Sequence, residues 1–132
     1  MTIKLKKISF FLFIAFLLLP YKNIISEALP GDDAYLTVAE TMPEPIGGLS
    51  QINKKISYPE AAKKAGVQGK IYVLAFVNEN GIVDDVKVIK GIGAGCDEET
   101  VKAVKSSKFK PATNQGVPVK AKATLSFVFK FS

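Results

Sequence analysis

GKIYVLAFVNENGIVDDVKVIK, residues Gly69–Lys90, is the stretch whose reading decides the fold. Lys70 to Val77 is rich in β-branched and aromatic residues, which suit a pleated, half-buried surface. Asn78-Glu79-Asn80-Gly81 follows, and Asn-Gly between two apolar runs predicts a hairpin, because both residues tolerate positive φ. Ile82 to Ile89 then runs back. Ile71, Val73, Ala75 and Val77 share one face; Tyr72, Leu74 and Phe76 share the other. With both faces apolar, the first strand is expected to be central and covered on both sides. In the second strand Val83, Val86 and Val88 break the period of two at Asp84-Asp85, and a β-bulge there would restore a common facing.

Downstream, Gly91-Ile92-Gly93-Ala94-Gly95 is a turn. Asp97 is the expected N-cap of a helix, and Glu98 and Glu99 suit its first turn. That helix is expected to run to about Ser107, with Val101 and Val104 inward and Phe109 just beyond. Pro111 prevents continuation. Thr113–Pro118 reads as a loop and Lys120–Phe131 as the last strand. In that strand Ala123, Leu125, Phe127, Phe129 and Phe131 form an apolar face, and Lys122, Thr124, Ser126 and Lys130 a mostly polar one. The alternation fits one face on a core and one in water.

Upstream, Ala34–Glu40 reads as a short strand. Met42-Pro43-Glu44-Pro45 is extended, because each proline biases its predecessor away from helix. Leu49, Ile52 and Ile56 make one stripe of a short helix. Pro59 suits the first position of another helix, over Glu60–Ala65, which Gly66 caps.

Met1–Leu19 begins with Lys4, Lys6 and Lys7 and continues with an apolar run, Ile8–Leu19, that Pro20 ends. This is the layout of a secretory signal peptide, and it is short for a membrane span. The best small-residue cleavage position follows Ser26. An uncleaved N-terminal anchor is the alternative. No Cys directly follows the run, which argues against a lipid anchor. Either reading exports the rest of the chain.

The 132 residues carry a formal charge of +6, and every basic residue is Lys. Without Lys4, Lys6, Lys7 and Lys22, 14 lysines face 12 carboxylates, a balance of +2. That does not match a clustered, Arg-bearing nucleic-acid face. A single cysteine, Cys96, excludes an internal disulfide and any multi-thiolate metal site. The absence of His removes His-based triads and metal ligands. Gly91, Gly93 and Gly95 have neither the dinucleotide nor the P-loop spacing, and the Asp97-Glu98-Glu99 start would repel a phosphate. Ser107-x-x-Lys110 falls at a helix end with no supporting motif. The carboxylates lack the spacing of a calcium loop. No catalysis, metal or cofactor is expected.

In order, Tyr58-Pro59, Ala61-Ala62, Gly66, Gly69, Asn80-Gly81-Ile82-Val83, Val86 and Val88, Asp97 and Val101, Phe109-Lys110-Pro111-Ala112, Gly116 and a Phe-rich final strand resemble the TonB C-terminal domain family, over about Gly47 to Phe131. Met42-Pro43-Glu44 and Gly47-Gly48 are similar to short TonB-like proteins of the Bacteroidetes type. The resemblance implies an α+β fold, two or three short helices on a small antiparallel three-stranded sheet. The domain plan is then a signal peptide or anchor over residues 1–26, a linker with a short extended segment over 27–46, and the TonB C-terminal-like domain over 47–132. It implies a periplasmic protein-binding module rather than an enzyme. Its implied partner is a TonB-dependent outer-membrane receptor or another envelope protein, met by an extended peptide pairing with a sheet edge. The residues carried over are Tyr58 and Pro59, beside the contact region, and the last strand with Lys122, Thr124, Ser126, Val128 and Lys130. Helix packing is the competing role for Tyr58 and Pro59, and protection of the edge against self-pairing is that of the lysines. The hairpin would build the covered part of the sheet and the last strand the exposed edge. Three features differ from full transducers: no His in the leader, Ser107 where many members carry Trp, and no long spacer. The 14 residues Pro20–Asp33 reach about 50 Å at most. An anchored energy transducer with a short spacer, and a structural envelope protein homodimerising through the last strand, remain as rival readings.

Overall fold

The computed structural model describes residues 34–132. The reading of Met1–Leu19 as a signal peptide or anchor and the cleavage position after Ser26 lie outside them. Within them, three helices and a three-stranded antiparallel sheet form the α+β fold that the sequence predicts. In chain order the elements are β1 (Glu44–Pro45), α1 (Leu49–Asn53), α2 (Glu60–Lys64), β2 (Gly69–Val77), β3 (Val83–Lys90), α3 (Cys96–Lys105), β4 (Phe109–Lys110), β5 (Ala112–Asn114), β6 (Val117–Val119) and β7 (Ala121–Phe129).

The sheet order is β3-β2-β7, so β2 is central. The hairpin turn needs only one left-handed residue: Gly81 has φ +78, and Asn80 does not join it. Gly81 N–H donates to the Asn78 carbonyl at 3.0 Å, while the Asn78 side-chain oxygen accepts from the Asn80 and Ile82 amides at 2.9 and 3.1 Å. This is a turn closed by a glycine, not the two-residue Asn-Gly turn. The expected bulge is present. Phe76 pairs with Asp85 and Val77 with Val83, which leaves Asp84 as the extra residue. Val83 and Val86 therefore both reach the core. A second bulge was not foreseen: Tyr72 pairs with Lys90 and Val73 with Val88, so Ile89 bulges too.

Ile71, Val73, Ala75 and Val77 are fully buried. They share one cluster with Ile52 of α1, Ala62 of α2, Cys96 and Val104 of α3, and Leu125, Phe127 and Phe129 of β7. Fully burying one such Val, Leu or Ile side chain contributes about 1.5–3 kcal/mol. The three helices of the described residues thus pack on one face of the sheet, and among those residues no helix covers the other, where cover on both was expected. On the other face Tyr72 and Leu74 are half-buried. Phe76 is buried there, with the Tyr35 ring edge-on at 5.2 Å and the Lys87 and Lys122 ammoniums over its face. Nor is the whole hairpin interior to the sheet, since β3 is an edge strand.

Several boundaries differ from expectation. Asp97 is not an N-cap. Gly95, left-handed at φ +87, holds that position, and the Asp97 carboxylate accepts from the Ile92 and Gly93 amides at 2.9 and 3.2 Å. Pro59 is the N-cap of α2 rather than its first residue. The first helix ends at Asn53, before Ile56. Thr113–Pro118 is not a plain loop. It lies within the β5–β6 hairpin, turned by Gln115 and Gly116, both left-handed. Ala34–Glu40 makes no strand, only one parallel bridge from Leu36 to Ala121.

Candidate protein-binding edge

β7 is the last strand of the sheet on its side, and its regularity sets it apart from β3. Nine consecutive residues, Ala121–Phe129, pair with Gly69–Val77 without a shift. Lys122 donates its N–H away from β2, to the Leu36 carbonyl at 2.8 Å. By the alternation of a strand, the N–H and C=O of Thr124, Ser126 and Val128 face the same outer side. The other edge, β3, is broken by the Asp84 and Ile89 bulges, and bulges are a recognised way of blunting an edge.

Beside the outer side of β7 runs a groove of about 350 Å³. Asn53, Ile56 and Tyr58 form one wall, and Ser126–Lys130 the other. Tyr58 is fixed in place. Its ring meets Phe129 edge-on at 5.2 Å and stacks on Phe131 at 5.5 Å, and its hydroxyl donates to the Val67 carbonyl. Burial pushes its phenol pKa up, and the Cys96 thiol adds in the same direction. Val128, on the far side of the groove, is 60% exposed.

The fold brings together Tyr58, Ser126, Val128 and Lys130 of the residues singled out in the sequence. Pro59 is adjacent but turned to structure, as the α2 N-cap packed beside Gly95. Lys122 and Thr124 lie farther along β7, and Lys122 meets Leu36. Asn53 and Ile56 also line the groove and were not singled out as contact residues. The stripe Leu49-Ile52-Ile56 signalled Ile56, but as core.

The groove carries no carboxylate, and among the described residues no three metal-ligating side chains converge. Cys96 is buried at the start of α3. Burial raises its pKa, with Asp97 and Glu98 adding to the rise, so the thiol stays neutral rather than nucleophilic. Among the described residues no helix is long and apolar enough to cross a membrane. The arrangement offers backbone pairing beside an aromatic wall.

Among the described residues these features define a small α+β domain whose β7 edge is regular and, beyond Lys122, without a backbone partner. A family model described as the Gram-negative bacterial TonB protein C-terminal matches residues 54–131, more than half of the chain. The chain belongs to that family. It is 31% identical over 74 residues to protein TonB of Pseudomonas aeruginosa, a match covering 55% of this chain and 22% of that protein. The chain thus spans about a fifth of that curated relative's length. Among solved structures, the solution NMR structure of the P. aeruginosa TonB C-terminal domain is 30% identical, with a TM-score of 0.48, over 58% of this chain and 78% of that one. The NMR structure of the Helicobacter pylori TonB C-terminal domain, residues 194–285, is 25% identical, with a TM-score of 0.45, over 63% of this chain and 90% of that one.

Proposed function

We propose that this chain is a periplasmic, TonB-like protein-binding module that acts in TonB-dependent transport. It takes an extended segment of an outer-membrane receptor, or of another envelope partner, as an added strand along β7. The observation that carries this reading is the unbroken outer edge from Thr124 to Lys130 beside the Tyr58 groove. Edge pairing draws affinity from main-chain hydrogen bonds and specificity from pockets for alternate side chains, so the chemistry is recognition, not catalysis. Family membership supports the same reading.

The test is a pull-down with receptor amino-terminal box peptides. Capture supports the reading, and no binding at high micromolar concentration counts against it. Two neighbouring readings use the same domain. In one the first residues stay uncleaved and anchor the chain as a transducer; a mature N-terminus at Glu27 removes it. In the other β7 pairs with β7 of a second copy; a monomer by light scattering at about 100 µM removes that one.

A further inference from the structure

The outer side of β7 is not open along its whole length. At its start lies a segment of the same chain, held at three places. Leu36 donates its N–H to the Lys120 carbonyl at 2.9 Å and accepts the Lys122 N–H at 2.8 Å. Tyr35 sets its ring against Phe76, donates its hydroxyl to the Asp84 carboxylate, and lies 5.6 Å under the Lys120 ammonium. At the far end Thr41 exchanges both backbone hydrogen bonds with Thr113, at 3.1 and 3.0 Å. Beside it the Glu40 N–H donates to the Asn114 side chain at 2.8 Å, and the Glu40 carboxylate accepts the Gln115 amide at 3.0 Å.

We infer that the Tyr35–Thr41 segment sets the length and register of the strand that β7 accepts. This rests on the edge-pairing reading above. The Lys122 N–H is already used, so Thr124 carries the first outward N–H with no backbone partner among the described residues, followed by Ser126 and Val128. From Thr124 to Lys130 the edge is about 20 Å long, room for about seven extended residues. An added strand that slides two residues towards the start of β7 meets Leu36 where it needs Lys122. A slide of one residue turns every side chain to the opposite face, out of the groove. Leu36 therefore acts as a stop, and Tyr35 and Thr41 keep it there. The partner is a short extended segment whose pairing begins no earlier than Thr124.

The test uses the full chain, a synthetic receptor amino-terminal box peptide with a nitroxide at one end, and amide hydrogen exchange read by NMR. In the free protein the Lys122 amide exchanges at least tenfold more slowly than those of Thr124, Ser126 and Val128. Bound peptide slows those three, and its nitroxide broadens one end of the edge only. In the double variant Tyr35→Ala/Leu36→Pro, checked as folded by the Val73 amide, Lys122 loses its protection in the free state. The peptide then protects Lys122 as well, and the broadening spreads two residues. Unprotected Lys122 in the parent, or the same register in both proteins, overturns the inference. A peptide that protects no β7 amide in either protein overturns edge pairing itself, and this inference falls with it.

Discussion

Tyr58 meets Phe129 edge-on, ring centroids 5.2 Å apart and planes at 89°. Phe131 stacks on the same ring, and the Tyr58 hydroxyl donates to the Val67 carbonyl. The ring thus closes the core at the end of β7 and also walls the groove. Tyr58→Phe should cost about 1 kcal/mol, one hydrogen bond, and leave peptide binding within about twofold. Tyr58→Ala should cost about 2–4 kcal/mol and weaken binding, because the groove loses its wall. Denaturant melts and peptide titrations separate the two effects.

Gly81 joins the hairpin to β4. Its carbonyl accepts the Phe109 N–H at 2.9 Å. It has φ +78, and a Cβ there would lie 2.0 Å from the Phe109 carbonyl oxygen. Gly81→Ala should therefore lose more than about 2 kcal/mol in chemical denaturation, well beyond an ordinary Gly→Ala change.

Tyr35 ties the start of the described chain to the Asp84 bulge. Its phenol pKa is pushed up from 10.0 to about 12, first by the hydrogen bond to Asp84 and then by burial and the nearby carboxylates. The folded state therefore holds this proton more tightly than the unfolded chain. The resulting stability is complete below pH 10 and is lost as pH rises through about 12. Tyr35→Phe should remove this component. The difference between the two proteins' stability-versus-pH curves, which cancels the shared lysine titrations, should be flat below pH 10 and close between 10 and 12.

Asp97 organises the turn before α3 with two hydrogen bonds to backbone amides. Asp97→Ala should cost about 1–2 kcal/mol. Asp97→Asn, which keeps one acceptor oxygen, should cost less. Amide exchange at Ile92 and Gly93 should rise in the same order.

The hairpin and β7 were legible because alternation is local: Ile71-Val73-Ala75-Val77 and Ala123-Leu125-Phe127-Phe129 each mark a buried face. The Asp84 bulge was legible because two polar residues broke that alternation. The Ile89 bulge was not, since Val88 and Ile89 are both apolar. The second face, on which the described residues lay no helix, was misread because an apolar Tyr72-Leu74-Phe76 stripe looks the same whether a layer covers it or lysine stems border it. Here Lys70 lies 5.9 Å from the Tyr72 ring and Lys87 5.3 Å from that of Phe76. Asp97 carries the N-cap residue type, but left-handed Gly95 took the position. For the candidate site, Tyr58 and the strand from Ser126 to Lys130 could be named separately. Their shared groove, and Leu36 beside Lys122, arise from tertiary contacts that no local pattern encodes.

Ser126→Pro tests the account most directly. The Ser126 N–H faces away from β2, so proline there removes an edge donor without removing a ladder hydrogen bond, the position where strands tolerate it. Stability should fall by about 1–2 kcal/mol at most, with the Val73 amide still protected. Affinity for a receptor amino-terminal box peptide, measured by calorimetry, should fall at least about tenfold, or 1.4 kcal/mol. A folded Ser126→Pro protein that binds the peptide as tightly as the parent would contradict strand addition at β7.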